Sequence, residues 1–153
     1  MVVPFSMLLN LASVVGAKNK HQLWGFIKRY APDAAPDTNS DLDAAVEFAV
    51  RYYDDFVKPT KTYRAPNDLE AEALRELLSG LKTWNQGLDP DALQSLVFSC
   101  GRERFDPMRD WFKALYEVLL GASQGPRFGG FLALLGIQES IDLIEKCLAG
   151  DLS

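Results

Sequence analysis

The sequence has only one histidine and two cysteines among its 153 residues. Cys100 and Cys147 lie far apart without Cys-x-x-Cys spacing, so neither a zinc site nor a disulfide framework is predicted. Each cysteine falls on an apolar helix face, which is typical of a buried, unreactive thiol. His21 has no evident nucleophile or metal partner, and no pair of catalytic carboxylates can be assembled. We therefore expect this chain to contain no catalytic residue and no metal site.

The sequence also lacks a long apolar run and an excess of positive charge. No run approaches the roughly 18 residues that a membrane span needs, and the N-terminal stretch lacks the basic segment and cleavage motif of a signal peptide. We expect a cytoplasmic protein with no membrane partner. The formal net charge is −5 and the pI is about 4.9. Taken alone, this charge argues against a nucleic-acid-binding surface, although an average over the chain hides any local basic patch.

The period-two alternation of β-strands is absent as well, whereas apolar residues recur at helical spacing along the chain. This pattern predicts an all-α protein of about eight helices in a bundle. Residues 58–66 interrupt the pattern with two prolines and three cations. They divide the chain into two predicted helical subdomains, 1–65 and 66–153. The predicted N-terminal caps are Asn19, Ser40 with Asp43, Asn67, Asp89 and Asp106, and the predicted stops are Gly16, Gly121 and Gly150.

The third predicted helix, over residues 40–58, is apolar around much of its circumference. One stripe includes Leu42 and Val46, and an adjacent stripe includes Phe48, Tyr52 and Phe56. A helix with two apolar stripes is typically surrounded by other helices, so the pattern predicts that this helix lies at the centre of the bundle.

Residues 111–135 organise the rest of the chain, as two helices joined by a loop rich in glycine and serine. Each helix is predicted to bury a stripe, the first through Met108, Phe112, Leu115 and Leu119, and the second through Phe128, Phe131, Leu132 and Leu135. In the loop, Gly125 lets a ligand approach the backbone closely, and Pro126 at the first helical position leaves neighbouring amides facing outward. Arg127 can hydrogen-bond a base edge in bidentate fashion. The alternative is that Gly-Pro merely ends one helix and starts the next.

These residues carry a family resemblance. The run WFKALYEVLLG…QGPRFGGFLALLG resembles the C-terminal region of the class I lysyl-tRNA synthetases, which share their plan with glutamyl-tRNA synthetase. The opening PFSMLLNLASVV and the middle RYYDDFVKPTKTYRAP are also similar to this family, so the resemblance covers nearly the whole chain. It implies an anticodon-binding region whose partner is the lysine-accepting tRNA. Under that resemblance Gln124, Gly125, Pro126 and Arg127 are the predicted anticodon contacts.

The family's two adenylate-forming signatures are missing from this sequence. The resemblance therefore implies that ATP and magnesium serve a catalytic domain of the parent enzyme, and that this chain itself needs no cofactor. Because Met1-Val2 leads directly into the first helix, we expect the chain to be an excised part of a longer ligase involved in protein biosynthesis. We expect the part itself to be monomeric.

Two further groups of residues are candidates for RNA contacts. Lys113 and Tyr116 share a helix face, where the lysine can neutralise a phosphate and the tyrosine can stack on an unpaired base. A solvated lysine beside a half-buried tyrosine is the equally favoured alternative. Lys58, Lys61 and Arg64 form the most basic stretch and are weaker candidates for phosphate contacts to the tRNA stem, made by the first subdomain. A solvated linker is the alternative for that stretch.

Two other functions remain open at this stage. One is the corresponding region of a glutamyl-tRNA synthetase, since the chain contains no amino-acid pocket. The other is a free-standing helical protein-interaction module, which the acidic pI favours. That second hypothesis gains support if Trp24 or Trp84 is exposed at a groove.

Overall fold

The computed structural model describes residues 3–152, except for the side chain of residue 60, so Met1-Val2 lies outside the described residues. Within that range the chain forms eight α-helices and no strand, which confirms the all-α prediction. Two π-helical turns, Tyr53–Val57 and Tyr116–Leu120, continue α3 and α6, and a short 3-10 turn, Lys58–Thr60, follows the first of them. The α-helices are α1 (Phe5–Val15), α2 (Lys20–Tyr30), α3 (Ser40–Tyr52), α4 (Asp68–Lys82), α5 (Pro90–Gly101), α6 (Arg109–Leu115), α7 (Phe128–Leu135) and α8 (Ile137–Leu148).

Three predicted N-terminal caps are confirmed. Asn19 accepts a hydrogen bond from the backbone of Gln22, whose side chain accepts one from Asn19 in return. Asn67 and Glu70 form the same reciprocal capping box at the start of α4. Asp89 accepts from two backbone amides of the first turn of α5. These caps satisfy amides that have no partner inside the helix, and they involve neighbours in sequence only.

The predicted starts of α3 and α6 are wrong. The cap of α3 is Asn39, Ser40 already lies in the helix, and neither forms a capping-box bond. The carboxylate of Asp43 instead accepts hydrogen bonds from Trp24 Nε1 at 2.9 Å and from Lys20 Nζ at 3.0 Å. A tertiary partner therefore replaces the local cap.

At α6, the predicted cap Asp106 precedes the helix by more than one residue. Asp106 and Pro107 are joined by a cis peptide bond and lie outside the helix. The helix begins at Arg109, with Met108 in the capping position, and no side chain within residues 3–152 caps it. The predicted start was therefore too early.

The centre of the molecule is α7, whose eight residues are all buried. Its segment FGGFLALL has no polar side chain, and it packs closely on α5 at Gly129. A Cβ added there would lie 2.5 Å from the carbonyl oxygen of Pro90 and would also meet the backbone nitrogen of Gln94. Only glycine allows this approach of two helix backbones.

The prediction that the third helix is central is wrong, because only one of its two apolar stripes is covered. Leu42 and Val46 are buried, whereas Phe48, Tyr52 and Phe56 are exposed. Sequence periodicity identifies an apolar face but does not identify what covers it.

The buried apolar residues form one cluster with members on both sides of residue 65. The predicted division into subdomains 1–65 and 66–153 stays a prediction. Ion pairs also join the two parts, including Arg29 Nη1 to Glu139 Oε2 at 2.9 Å. Among the helices described, none combines the length and the apolar character needed to cross a bilayer.

Candidate nucleic-acid interface

The loop between α6 and α7 begins at Gly121, as predicted. The π-helical turn Tyr116–Leu120 ends there in a left-handed residue with φ of 65°. The amides of Gly121 and Ala122 both donate to the carbonyl oxygen of Tyr116, which closes the turn. The ring of Tyr63 lies against Gly121, so a side chain at this position would be excluded by both conformation and space.

Residues 123–125 carry backbone donors without a partner among the described residues. Ser123 and Gln124 are exposed and Gly125 is partly exposed. In the part of the chain that the structure describes, the backbone amides of these three residues donate no hydrogen bond. Such amides can donate to acceptor atoms of an incoming ligand. The same three residues line two cavities, one on each side of the loop.

The first cavity has a volume of about 730 Å³ and lies between the loop, α1 and residues 57–64. Lys61 lines it, and its ammonium group donates a hydrogen bond to the carbonyl oxygen of Leu120. Burial lowers the pKa of Lys61 to about 8. Ser6 and Asn10 add polar groups from α1. The predicted phosphate contact Lys61 thus lies beside the loop, but its side chain already has a partner.

Arg64 lines the first cavity but is held by two carboxylates. Its Nε donates to Glu117 at 2.9 Å, and its two terminal nitrogens donate to the two oxygens of Glu70 at 2.7 and 2.9 Å. The hydrogen bond from Arg64 holds the pKa of Glu70 below its ordinary value of 4.5, and the Asn67 amide acts in the same direction. Arg64 therefore joins α4 to the π-helical turn, and its predicted phosphate contact stays a prediction.

Lys58 is exposed and, among the described side chains, forms no ion pair. It lines a different cavity, beside Asp54 and Asp55. The structure therefore does not bring Lys58 together with the loop. Its predicted phosphate contact stays a prediction.

The second cavity, of about 620 Å³, combines the loop with one face of α6. Lys113 lines it, is exposed, and has no ion-pair partner among the described residues. Phe112 and Arg109 also line it, although Phe112 was predicted to lie on a buried stripe and Arg109 was not among the predicted contacts. Leu115 and Leu119 of the predicted stripe are buried, as are Trp111 and Ala114, whereas Phe112 is only partly buried.

Tyr116 supports the loop. Its hydroxyl donates a hydrogen bond of 2.8 Å to the carbonyl oxygen of Pro126. Its ring lies so close to Gly125 that an added Cβ would be 2.7 Å from the tyrosine Cδ1 atom. Burial raises the pKa of Tyr116. Because one face of the ring and the hydroxyl are engaged, this tyrosine is less available to stack on a base than the sequence suggested.

The start of α7 differs from the prediction. Pro126 is buried and precedes the helix, which begins at Phe128 with Arg127 in the capping position. The amide of Gly129 donates to the side chain of Gln94 at 2.6 Å, so the helix start faces α5 and not the solvent. The unpaired donors lie in the loop that precedes the helix.

Arg127 points outward. Its side chain is 53% exposed, and Nη1 lies 2.8 Å from Oδ1 of Asp91, which is 86% exposed. An ion pair this open to water contributes less than about 1 kcal/mol and is readily exchanged for another anion. Arg127 therefore remains available to a ligand beside the loop.

The other reactive side chains lie away from the loop. Cys100 and Cys147 are both buried, as predicted, and burial raises their pKa values to about 12 and about 11. Over residues 3–152, the histidine, cysteine and acidic side chains form no cluster that could hold a metal ion.

The chain is similar to proteins named lysine–tRNA ligase. It is 66% identical to one from Roseobacter denitrificans over 152 residues, which cover 99% of this chain and 29% of that protein. It is 43% identical to one from Rickettsia bellii over 147 residues, and 42% identical to one from Rickettsia conorii over 144 residues. Those matches cover 95% and 94% of this chain and 28% of each relative. No protein-family model matches the chain, and no solved structure matches it.

The chain spans a little over a quarter of the length of these relatives. The similarity extends over almost all of its residues, including both helices and the loop of the candidate interface. Over that length the chain is homologous to one part of the lysine–tRNA ligases, which confirms the resemblance found in its sequence.

Proposed function

We propose that this chain is the C-terminal, anticodon-recognising part of a lysine–tRNA ligase. In this proposal a separate catalytic domain attaches lysine to tRNA with ATP and magnesium, and the present chain selects the tRNA. The names of the relatives support the proposal. The observation that carries it is the loop of residues 123–125, whose backbone amides have no partner within the described chain and lie between two cavities.

The second cavity suits an unpaired base. Proteins recognise single-stranded RNA by stacking splayed bases on aromatic side chains and by hydrogen-bonding the base edges. Phe112 supplies an aromatic surface there, and Lys113 and Arg109 supply positive charge for the adjoining phosphates. Gln124 and the loop amides supply donors for base acceptors. In this arrangement Tyr116 and Pro126 position the loop, and Arg127 contacts the RNA from its edge.

The acidic net charge does not contradict this assignment, because the relevant charges are local. Lys113 and Arg127 are both exposed, and in the part of the chain that the structure describes neither is paired with a buried carboxylate. Asp110 and Asp91 lie near them and reduce the net attraction. We therefore expect weak binding by the chain alone, with an affinity that falls as salt is added.

The alternatives receive less support. The matched relatives are named for lysine and not for glutamate. A free-standing interaction module loses its predicted anchors, since Trp24 is buried and donates to Asp43, and Trp84 is half-buried and donates to the carbonyl oxygen of Gly87. As part of the proposal, the chain acts as a monomer in the cytoplasm and has no membrane partner.

Titration with unmodified tRNA transcripts tests the proposed function. The chain should bind a lysine tRNA more tightly than a glutamate tRNA, and exchanging only the anticodons should exchange the preference. Binding should weaken with rising salt. A chain that shows neither a preference nor a salt dependence is not an anticodon-binding part. An antiserum against the chain should also detect a much longer polypeptide in the source cell. If it detects only a protein no longer than the chain, the hypothesis that the chain is part of a longer ligase is wrong.

A further inference from the structure

Four aromatic side chains form a continuous exposed surface, which we call the aromatic ridge: Phe5, Phe48, Tyr52 and Phe56. Their exposed fractions are 39%, 57%, 37% and 63%. The ring centroids lie 5.6 Å apart for Phe5 and Phe48, 5.9 Å for Phe48 and Tyr52, and 5.2 Å for Tyr52 and Phe56. Single exposed apolar residues are common on proteins, but a contiguous patch marks an interaction surface.

The ridge is built by a regular helix face. Phe48, Tyr52 and Phe56 follow one another at intervals of four residues along α3 and its π-helical turn, and Phe5 joins them from the first turn of α1. Side chains four apart lie above one another on a helix, so they expose a straight apolar row. Such a row can pack against the surface of another domain or protein.

The charges beside the ridge decide which kind of surface fits. Over residues 40–58, the exposed charged side chains are the carboxylates Asp41, Glu47, Asp54 and Asp55 and the cations Arg51 and Lys58. Arg51 is paired with Glu47 at 3.4 Å. This excess of carboxylates repels RNA phosphates and favours an apolar protein face with a basic rim.

We propose that the aromatic ridge is an interdomain interface, covered by the part of the lysine–tRNA ligase that this chain does not contain. This inference rests on the proposed function. The match covers 29% of the Roseobacter protein, so most of that protein lies outside it and is available as a covalently attached partner. Phe5 belongs to the first turn of α1, so a polypeptide joined ahead of residue 3 would begin beside the ridge.

Hydrogen exchange tests the interface. The matched segment of the Roseobacter ligase is replaced by this chain, and amide exchange over residues 44–57 is compared between that chimera and the chain alone. Contact with the rest of the ligase should slow exchange there about tenfold or more, because burial suppresses local opening. If the chimera does not fold, the remainder of that ligase is added to the chain as a separate polypeptide and the same exchange is measured.

A paired substitution adds a second measurement. Phe48→Ser together with Phe56→Ser should leave the melting temperature of the chain alone nearly unchanged, but should restore fast exchange in the chimera. Phe98→Ser, which alters an exposed phenylalanine of α5 outside the ridge, is the matched control and should leave the slow exchange intact.

Three results would overturn the interface. Equal exchange in the chimera and the chain alone would show that nothing covers the ridge. A dimer of the chain that the paired substitution dissociates would assign the ridge to a second copy. Loss of tRNA affinity in the substituted chain would assign it to RNA. If exchange is slowed in the chimera but the chain binds no tRNA, the interface is supported and the anticodon-binding function is refuted.

Discussion

The hydroxyl of Tyr116 lies 2.8 Å from the carbonyl oxygen of Pro126, and the ring of the same tyrosine packs against Gly125. One side chain from a π-helical turn therefore fixes the far end of the candidate loop. Because the backbone amides of residues 123–125 lie immediately before this contact, their positions depend on it.

Tyr116→Phe tests that dependence. The substitution removes the hydroxyl and leaves the buried Pro126 carbonyl without its donor, so the free energy of unfolding should fall by about 1 kcal/mol, measured by urea denaturation. We also expect weaker binding of lysine tRNA, because the loop is held less firmly. Tyr30→Phe is the control, since the Tyr30 hydroxyl has no hydrogen-bond partner in the described residues. Equal effects of the two substitutions would refute a positioning role for Tyr116.

Arg127→Ala should weaken tRNA binding by about 1–3 kcal/mol without loss of helicity, because the guanidinium is exposed and its ion pair with Asp91 is open to solvent. Asp91→Asn should leave tRNA affinity unchanged or raise it, since it releases Arg127. Filter binding and circular dichroism measure both effects. Unchanged affinity in Arg127→Ala, or collapse of the fold, would remove Arg127 from the site.

Gly129→Ala should destabilise the protein by about 1–3 kcal/mol, because the added methyl group meets the backbone of α5. Gly25→Ala is the matched control. Gly25 lies on the exposed side of α2, and no atom of the described residues lies within 4 Å of an added Cβ. Alanine there should stabilise the helix by about 0.5–1 kcal/mol. Opposite shifts of the thermal midpoint are expected, and shifts of the same sign would contradict the close packing of α7 on α5.

The pairing of Glu70 with Arg64 predicts how stability depends on pH. The pKa of Glu70 is lower in the folded protein than its ordinary value of 4.5, which the unfolded chain approaches. Its contribution to stability is therefore present above pH 4.5 and is lost as the pH falls through the folded pKa. Glu70→Gln should lower the free energy of unfolding at pH 7 and flatten its decline in acid.

Urea denaturation between neutral and acidic pH measures this effect. The control is Glu72→Gln, which changes an exposed carboxylate of the same helix without an ion pair among the described residues. That variant should keep the acid-induced decline of the unmodified protein. If the free energy of unfolding of Glu70→Gln falls in acid as steeply as that of the control, the ion pair with Arg64 does not contribute to stability.

Local signals in the sequence predicted much of the fold. Asn19, Asn67 and Asp89 cap helices through bonds to residues two or three positions away, so their roles follow from neighbouring residues alone. The role of Asp43 could not be predicted in this way, because its partner Trp24 belongs to another helix. The exposure of Phe48 likewise depends on which elements cover α3, a property that periodicity does not contain.

In the candidate site, too, features set by residue type were predicted, whereas features set by distant residues were not. Gly121 was predicted to end a helix from its residue type, and its left-handed conformation at the end of the π-helical turn confirms this. Arg64 was predicted as a phosphate contact from the basic stretch around it, and that stretch does not show its partner Glu117, which lies 53 residues away in sequence. The burial of Pro126 is not visible in the Gly-Pro motif, because burial depends on residues distant in sequence. Whether these residues contact tRNA stays a prediction.

The two carbonyl groups that end the π-helical turn bind donors from a distant stretch of the chain. Leu120 accepts from the Lys61 side chain, 59 residues away, and Gly121 accepts from the backbone of Thr62 at 3.2 Å. A polypeptide trimmed to begin at residue 66 would retain the whole loop but would lack both donors. A fragment that keeps both of these hydrogen bonds therefore has to include Lys61 and Thr62.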